Sequence, residues 1–548
     1  MMQPCRHGET SGGNDRRGLR RRGALAIGLV LFLIGACAST GESGTAPRGV
    51  LDPSGALFAG AYRQIRDYYL DPISVETLAV ASVGALDPDH LGMAVDERDH
   101  VVRLASQGQN VAMLGEPDAN DAEGWAMITS TALATARRVD PALAAATDEE
   151  LYQRAFDGIT GKLDRFTRYA GADAARDQKA ARDGFGGVGL TLDFSEPEPR
   201  VTTVLANGPS AKLGVIKLDD RLLSIDGVPT PGLDQSHIIA KLRGRPDSRV
   251  ALTLRHSQHD NTYAVTVQRA LIVPPSVTAE TEDGIGILHV SGFNADTAKS
   301  LGQQIARLRS ETGKHLTGFV LDLRGNPGGL LDQAVDVAAL FLNRGQVVAT
   351  KGRHPTSMQD FEASGNDQTH GLPLVVLVNG GSASSAEIVA AALQDHGRAI
   401  VVGSSSYGKG TVQMVWPLEN TGELTLTWAR LVTPSGTILH NHGVVPAFCT
   451  SGQMQGEAGD AQARLAQIIE RGLHPAPGIE SRPRASLTDA AWEELRNECP
   501  ADLRESDLDL KIAKHVLRDP ALYAEALTLP GIAVARAPDG HAVRSALQ

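Results

Sequence analysis

The chain has 548 residues, of which 42% are hydrophobic and 21% are charged. This length exceeds one ordinary hydrophobic core, so three or four domains are expected. The composition excludes a wholly disordered chain and a membrane protein with many spans. The formal net charge of −12 disfavours a nucleic-acid partner, because phosphate backbones attract basic surfaces.

The amino terminus has the pattern of an export signal over residues 1–36. Five arginines between Arg16 and Arg22 precede an apolar run, Ala24 to Ile34, which is too short to span a membrane stably. Ile34-Gly35-Ala36-Cys37 resembles a bacterial lipobox, which implies cleavage before Cys37 and lipidation of that cysteine. An ordinary signal peptide cut nearby and an uncleaved anchor remain open. The predicted location is the bacterial cell envelope, on the periplasmic side and anchored to a membrane by lipid.

Cys5, Cys37, Cys449 and Cys499 are the four cysteines of the chain. Loss of the signal and lipidation of Cys37 would leave Cys449 and Cys499. These two pair in an oxidising compartment if the fold brings them close, and otherwise remain free buried thiols. The sequence leaves both alternatives open.

At its amino-terminal end the exported chain is predicted to have a flexible linker followed by a helical domain. Its carboxy-terminal end is predicted to be helical. Residues 37–54 are rich in Ser, Thr, Gly and Pro, as in a flexible tether. Apolar residues then recur at helical spacing from Leu57 to Tyr69, which predicts a helical amino-terminal domain over 55–178. Residues 451–548 are predicted to form a helical extension, without any motif of recognisable chemistry.

Residues 179–272 change to β-branched alternation with Gly and Asp turns, which predicts a small β-rich domain. Its characteristic phrases are Phe185 to Leu190, Gly208 to Gly214, Asp219 to Gly227 and Leu242 to Gly244. Together they resemble a PDZ domain, in which a glycine-rich loop binds a terminal carboxylate and the adjoining strand edge accepts a peptide. The resemblance implies that Val188, Gly189 and Leu190 form the carboxylate-binding loop. A glycine-rich hairpin without a ligand is the alternative.

Residues 273–450 alternate strand and helix, which predicts an α/β core with right-handed crossovers. Continuous apolar runs predict buried strands at 286–290, 318–323, 374–378 and 399–402. Helical patterns fall between them, at about 295–311 and at 386–394.

The first segment with possible chemistry, Asn379 to Ile388, joins a buried strand to a helix. A serine here lies on a tight turn at a helix amino terminus, where free backbone N–H groups can stabilise an oxyanion. Serines at such turns are also ordinary helix caps, so this segment alone does not predict catalysis.

The second segment is Tyr407 to Gln413, in which glycines flank Lys409 before a short strand. Side chains alternate along a strand, so Lys409, Thr411 and Gln413 are expected to point the same way. Burial disfavours a charged ammonium, so a buried Lys409 could act as a general base, oriented by Gln413. A surface lysine in a glycine turn is the alternative.

The third segment, Asp322 to Gly329, directly follows a buried strand. Its glycines allow backbone N–H groups to approach a bound carbonyl closely. Gly328 and Gly329, together with Ser385 at the helix start, are therefore the candidate oxyanion hole. An Asn-Pro-Gly-Gly sequence that forms only a turn is the alternative.

In this order, the three segments resemble the carboxy-terminal processing peptidases, also called tail-specific proteases, over residues 55–447. In that family a serine precedes the catalytic lysine by 25 residues and a glutamine follows it by four. The resemblance therefore implies a catalytic role for Ser384, Lys409 and Gln413. The order Ser-Ser-Ala-Glu from Ser384 departs from the family's usual Ser-Ala-Ser-Glu. Asp395 matches an aspartate sometimes grouped with the active residues, although a salt bridge at a helix end explains it equally well.

The resemblance implies a multidomain α+β protein whose protease core is of the α/β kind shared by crotonases and ClpP. It implies an ATP-independent serine endopeptidase that captures carboxy-terminal tails through its PDZ domain and cuts upstream with a Ser–Lys dyad. No cofactor and no metal are expected. The expected partners are proteins or peptides with accessible apolar carboxyl termini, with a role for an adaptor left open, and the membrane that holds the lipid anchor.

Three alternatives compete with this interpretation. A Ser-His-Asp hydrolase would draw its base from the four histidines near the motifs, which are His370, His396, His440 and His442. A catalytically inactive PDZ adaptor of the cell envelope would retain only the binding function. An acyl-CoA enzyme could share the core fold, but export and the PDZ phrases disfavour it.

Overall fold

The structure is a computed structural model. In the part of the chain that it describes, no helix is long and apolar enough to cross a membrane. The described residues are 51–87, 91–96, 98–257, 261–451, 461–473 and 486–529. The predicted signal sequence, the lipidation site Cys37 and most of the predicted linker lie outside the described residues.

The amino-terminal domain is built mainly of helices, as the sequence predicts. Its elements are α1 (Pro53–Tyr68), α2 (Val75–Gly84), β1 (Leu91–Asp96), β2 (Val101–Ser106), β3 (Gln109–Gly115), α3 (Ala122–Val139), α4 (Pro141–Ala145), α5 (Asp148–Thr160), β4 (Arg168–Ala170) and α6 (Ala172–Asp183). Helix α1 begins two residues before the predicted domain start at residue 55, and α6 continues past the predicted domain boundary at residue 178.

Two features of this domain were not predicted. Strands β1, β2 and β3 form a three-stranded antiparallel sheet, with buried Val102 and Leu104 on its inner face. Strand β4 pairs with a strand of the protease core, and Leu424 and Leu426 of that strand pack into the helical domain. The amino-terminal domain is therefore fixed directly against the protease core.

The second domain contains the short strands that the PDZ resemblance implies. Its elements are β5 (Phe185–Gly187), β6 (Leu190–Asp193), β7 (Arg200–Val204), α7 (Pro209–Leu213), β8 (Arg221–Ile225), β9 (Val228–Pro229), α8 (Gln235–Leu242), β10 (Arg249–Arg255), β11 (Thr262–Gln268) and β12 (Ala270–Ile272). The main sheet has the order β11-β10-β8-β7-β6, so β6 is an edge strand.

The protease core has the predicted alternation of strand and helix. Its elements are β13 (Val277–Glu282), β14 (Ile285–Val290), α9 (Thr297–Thr312), β15 (Gly318–Asp322), α10 (Leu331–Ala339), β16 (Gly345–Lys351), β17 (Gln359–Ala363), β18 (Leu374–Val378), α11 (Ser385–Asp395), β19 (Ile400–Gly403), β20 (Thr411–Pro417), β21 (Glu423–Val432) and β22 (Phe448–Cys449). The main sheet has the order β13-β14-β15-β18-β19-β22 and is parallel except for β13. A second sheet, β17-β16-β21-β20, was not predicted.

Helices cover both faces of the main sheet because alternate side chains of its strands point to opposite sides. In β18, for example, Val376 packs with α10 and α11 on one face, and Val375 and Leu377 pack on the other. That other face is covered by helices from the carboxy-terminal extension, which are α12 (Ala461–Leu473), α14 (Asp507–Arg518) and α15 (Pro520–Ala526). The extension is therefore helical, as predicted, and completes the core of the protease.

A disulfide joins the extension to the core sheet. Cys449 at the end of β22 is bonded to Cys499, which directly follows α13 (Asp489–Glu498), and their Cα atoms are 5.8 Å apart. Of the two alternatives that the sequence leaves open, the structure shows the paired cysteines.

Candidate active site

The predicted catalytic segments meet at one cleft of about 590 Å³. Its walls come from the loops that follow β14, β15 and β18, from β20, and from β4 and α6 of the amino-terminal domain. Six of the predicted site residues line it, and these are Gly328, Gly329, Ser384, Ser385, Lys409 and Gln413.

Ser384 lies on a sharp turn between β18 and α11. Its backbone has φ 54° and ψ −115°, a conformation that is costly for a residue with a side chain. Gly328 packs against this turn so closely that a Cβ added to Gly328 would lie 2.7 Å from Ser384 Cβ. The surrounding loops thus hold Ser384 in a strained position at the helix amino terminus, inside the cleft.

The structure distinguishes Ser384 from its neighbour Ser385. The Ser385 hydroxyl donates to the carbonyl oxygens of Gly329 (3.0 Å) and Leu330 (3.3 Å), and Ser385 is only 1% exposed. Ser384 is half-buried and lines the cleft. Ser385 therefore anchors the glycine loop, while Ser384 is in the position to attack a substrate.

Glu387 connects the serine turn to the lysine turn. Its carboxylate is fully buried and accepts hydrogen bonds from the backbone N–H groups of Ser384 (2.8 Å), Gly408 (2.6 Å) and Lys409 (2.9 Å). The hydroxyl of Ser406 donates to the same carboxylate at 2.5 Å. Burial raises the pKa of Glu387, whereas these hydrogen bonds favour its charged form. One carboxylate thus fixes the backbone on both sides of the proposed dyad.

Lys409 lies in surroundings that disfavour its charged form. Burial lowers the pKa of Lys409, and the nearby positive charge of Arg168 lowers it further, while Glu387 and Asp164 partly oppose both effects. The ammonium nitrogen lies 5.2 Å from the centre of the Phe166 ring. Among the described contacts, no hydrogen bond joins Lys409 Nζ to Ser384 Oγ.

Phe166 belongs to the amino-terminal domain, which therefore contributes directly to the environment of Lys409. Asp164 shapes this segment by accepting hydrogen bonds from Phe166 N (2.8 Å) and from the Thr167 hydroxyl (2.8 Å). It also accepts one from the Thr427 hydroxyl of β21 at 3.0 Å. The contact between the domains thus sets where the Phe166 ring lies.

Gln413 lies in the cleft, but its amide nitrogen is already engaged. It donates to the hydroxyl groups of Thr411 (2.8 Å) and Thr427 (3.1 Å). A β-bulge between Val412 and Gln413 interrupts the simple alternation that the sequence predicted for this strand. The carbonyl oxygen of the Gln413 side chain accepts no hydrogen bond among the described contacts.

The predicted oxyanion hole needs one correction. The N–H of Gly328 already donates to Asn326 Oδ1 at 2.8 Å, so it does not point freely into the cleft. Gly329 N and Ser385 N have no acceptor among the described hydrogen bonds, and Ser385 is the first residue of α11, where such N–H groups are normally free. Gly329 and Ser385 are therefore the better pair of donors.

The structure does not bring Asp395 to the cleft. Asp395 ends α11, and eleven residues of helix separate it from Ser384 by about 16 Å. Its carboxylate accepts a hydrogen bond from Ser435 N at 2.9 Å and so fixes a neighbouring turn. The predicted catalytic role of Asp395 has no geometric support, and its position in the fold explains its presence instead.

The four histidines of the competing hydrolase mechanism also lie outside the cleft lining. His442 stacks on Trp492 with ring centroids 5.0 Å apart, and its Nε2 lies 3.0 Å from Asp489. His396 contacts the carbonyl oxygen of Gln346 at 2.7 Å. His440 lies nearer the site, with its ring centroid 6.3 Å from that of Phe166. Among the described residues, no histidine lines the cleft that contains Ser384.

The loop predicted to bind a carboxylate begins the edge strand of the PDZ sheet. Val188 is buried, and its carbonyl oxygen accepts hydrogen bonds from the N–H and the hydroxyl of Ser210 (3.1 and 2.7 Å). Gly189 has φ 74°, and Leu190 starts β6, which pairs with β7 on one side only. The open edge of β6 is where a peptide could be added as a further strand.

Sequence reasoning assigned no role to Glu387, Phe166 or Asn326. The signal for Glu387 was its position three residues after Ser384, which is the spacing of a capping box. Phe166 acts through contacts between distant segments, and a single sequence carries no signal for such contacts. Asn326 binds Gly328 N within its own loop, so its role depends on how that loop folds.

Comparison with known proteins places these observations in a family. Residues 284–448 match the model of peptidase family S41, and residues 200–256 match a PDZ domain. The first match includes every segment that carries Ser384, Lys409 and Gln413. The second begins after the Val188–Leu190 loop, and helices α12 to α15 follow the end of the first.

Individual relatives agree with the family match. A carboxy-terminal-processing protease of Bartonella bacilliformis is 38% identical over 302 residues, which are 55% of this chain and 69% of that protein. A carboxyl-terminal-processing protease of Picosynechococcus is 31% identical over 307 residues, covering 55% and 73% of the two chains. The solved structure of a photosystem II D1 C-terminal processing protease is 25% identical, covers 72% of this chain and 92% of its own, and has a TM-score of 0.36.

Proposed function

Because the chain belongs to peptidase family S41, the carboxy-terminal processing serine proteases, we propose that Ser384 is its nucleophile and Lys409 its general base. The observation that carries the proposal is the strained turn of Ser384, which faces the same cleft as a lysine whose charged form is disfavoured. Glu387 supports the pairing because it binds the backbone of both residues.

The reaction follows from these positions. Neutral Lys409 accepts the proton of the Ser384 hydroxyl as the oxygen attacks a peptide carbonyl, and the N–H groups of Gly329 and Ser385 stabilise the oxyanion. The resulting ammonium protonates the leaving amine, which breaks the peptide bond and leaves an ester on Ser384. Water, deprotonated by Lys409, then hydrolyses the ester and restores both side chains.

The dyad must close before it can react, because Lys409 Nζ lies over Phe166 and is not bonded to Ser384. Catalytic hydrogen bonds often form only in the complex with substrate. A substrate tail held by the PDZ domain would favour the closed arrangement, in which Gln413 Oε1 accepts a hydrogen bond from Lys409. Tail binding would also raise the effective concentration of the upstream peptide at Ser384.

Cleavage is expected to depend on a free carboxyl terminus in the substrate. The N–H groups of the Val188–Leu190 loop would bind the terminal carboxylate, and amidation of the substrate would remove that partner. We expect an amidated peptide, or one with acidic residues replacing its last apolar ones, to be cut about tenfold or more slowly than the free acid. Mass spectrometry of the fragments measures both the rate and the position of cleavage.

Two results would contradict this function. Equal rates for the free-acid and amidated forms of one peptide would exclude tail selection, while leaving the Ser384 chemistry intact. Stepwise loss of single terminal residues, without internal fragments, would exclude an endopeptidase. A substrate of scrambled internal sequence with the same tail serves as the control for tail recognition.

We further propose that the protease works in the bacterial periplasm, anchored through a lipidated Cys37. The arginine-flanked apolar run and the lipobox-like Ile34 to Cys37 support this proposal. The disulfide between Cys449 and Cys499 agrees with an oxidising compartment.

The Cys37→Ser variant tests the lipid anchor. We expect it to lose the lipid and to leave the membrane fraction, because the side chain that would carry the lipid is removed. Fractionation and the mass of the mature amino terminus measure both effects, with Ser39→Ala as the matched control. An unchanged amino terminus and an unchanged membrane fraction would contradict the lipoprotein assignment.

A further inference from the structure

The carboxy-terminal extension lies behind the active site and contacts three of its loops. This segment begins after the residues that match the S41 family model, and its sequence holds no recognisable catalytic motif. Its polar groups in α13 and in the following stretch, residues 499–509, are directed at the loops that carry the candidate oxyanion hole, Ser384 and Lys409.

The first loop that the extension contacts is the one that leads to Gly328 and Gly329. Arg324 donates through Nη1 to the carbonyl oxygen of Ser506 at 2.9 Å and to the carboxylate of Asp509 at 3.1 Å. Arg324 and Asp509 are both buried, and the Arg324 guanidinium also pairs with the carboxylate of Asp322 at 2.6 Å. A buried charge is retained only where it is paired, so these contacts fix the start of the loop firmly.

The second loop that the extension contacts is the one that leads to Ser384. The N–H of Gly380 donates to the carbonyl oxygen of Asp502 at 2.8 Å, and Asn379 Nδ2 donates to that of Leu503 at 3.2 Å. Asn379 Oδ1 in turn accepts from the N–H groups of Gly325 and Gly381, at 2.8 and 2.9 Å. The extension thus holds the serine loop and the glycine loop together.

The third contact is made by Arg496 of α13. Its guanidinium donates through Nη2 to the carbonyl oxygen of Ser406 at 2.9 Å and through Nη1 to that of His442 at 2.7 Å. Ser406 lies three residues before Lys409, and its hydroxyl donates to the carboxylate of Glu387. Arg496 therefore holds the loop that carries the proposed base.

Arg496 also places a positive charge beside the buried carboxylate of Glu387. A Cβ added to Gly443 would lie 2.8 Å from Arg496 Nη1 and 3.1 Å from Glu387 Oε1, so both atoms border the same small space. Opposite charges attract more strongly in such a poorly hydrated site than in water. The disulfide at Cys499, three residues after Arg496, ties α13 to the core sheet.

We propose that Arg496 is a positioning residue for the proposed Ser384–Lys409 reaction, on which this inference rests. It keeps Glu387 charged and in place, and Glu387 holds the backbone of both reacting residues. Arg496 touches neither the cleft lining nor the PDZ domain, so its loss should slow the chemical step without weakening substrate binding.

The full chain with Arg496→Met tests the proposal, compared with Arg496→Lys, which keeps the charge. We expect kcat to fall at least about tenfold in Arg496→Met, KM to stay within about twofold, and Arg496→Lys to recover most of the loss. Arg518→Gln is the matched control, because Arg518 lies on the same extension and, among the described residues, pairs with exposed Asp283. Thermal unfolding of each variant shows whether it is folded.

A second measurement separates the role of charge from a general loss of structure. In a Glu387→Gln background, Arg496→Met should cause little further loss, because the two residues act as one unit. Equal losses in Arg496→Met and Arg496→Lys, or an unchanged kcat, would overturn the proposal. If Arg496→Met does not fold, Arg496→Gln is used in its place. The ratio of its kcat to that of Arg496→Lys then tests the proposal in the same way. If a fluorophosphonate does not label Ser384 in the wild type, the proposed function itself fails.

Discussion

Replacement of Ser384 by alanine is expected to lower kcat/KM for an unfolded substrate with an apolar tail by about 10⁴-fold or more. The side chain that would form the ester is then missing, while the strained turn and the hydrogen bonds of Glu387 remain. Initial rates of fragment formation measure the loss, and thermal unfolding shows that the variant is folded.

Ser385→Ala is the matched control for Ser384→Ala. It removes a hydroxyl one residue away that bonds the carbonyl oxygens of Gly329 and Leu330. We expect it to retain activity within about tenfold of the wild type, because only the anchoring of the glycine loop is weakened. Activity in Ser384→Ala together with its loss in Ser385→Ala would contradict the assignment of the nucleophile.

Replacement of Lys409 is expected to have a similarly large effect, with a distinctive dependence on pH. Lys409 is active only when neutral, and burial and Arg168 lower its pKa below the usual 10.5. In the wild type, kcat/KM should therefore rise with pH and level off above this lowered pKa, where the amine is neutral. Below it the ammonium predominates and the rate falls.

Lys409→Ala should lose this rise with pH together with the activity, and Lys409→Arg should be inactive throughout, because a guanidinium does not deprotonate in this range. The profile of kcat/KM against pH is the measurement. An activity that survives in Lys409→Ala but is abolished by replacement of His440 or His442 would contradict the lysine base. His396→Ala serves as a control at a histidine outside the cleft lining.

Much of the fold could be predicted because the buried strands are continuous apolar runs. Residues 374–378 form β18 as predicted, and the helix predicted at 386–394 is observed as Ser385–Asp395. The sheet of β1 to β3 and the second sheet of the core were missed. Strands β3 and β17 are largely exposed, so their hydrophobic periodicity is weak. Strands β16 and β21 are mostly buried, and their pairing depends on contacts between distant segments.

The candidate catalytic segments could be predicted because each is local in sequence and short-range geometry limits what it can do. A serine between a strand and a helix must lie at a helix amino terminus, and the structure finds Ser384 there. The oxyanion hole was less predictable, since the engagement of Gly328 by Asn326 depends on the fold of one loop. For Asp395 the sequence left a catalytic and a structural role open, because it does not show that α11 carries this residue about 16 Å away from Ser384.

The contribution of other domains to the site could not be derived from the sequence. Phe166 reaches Lys409 only because β4 pairs with β21, and Arg496 reaches the Ser406 loop beside Glu387 only because the extension packs across the core sheet. Such contacts depend on tertiary packing between segments far apart in the chain. Through these contacts, the candidate site gains neighbouring residues that its own sequence motifs do not contain.

Covalent labelling with a fluorophosphonate tests most directly whether Ser384, activated by Lys409, is the nucleophile. Mass spectrometry of the digested protein should locate the adduct on Ser384 in the wild type and in Ser385→Ala. Labelling should be absent in Ser384→Ala and slowed by at least about a hundredfold in Lys409→Ala, because general-base activation contributes effects of this size. An adduct on Ser385, or an equal labelling rate with and without Lys409, would contradict the Ser384–Lys409 dyad.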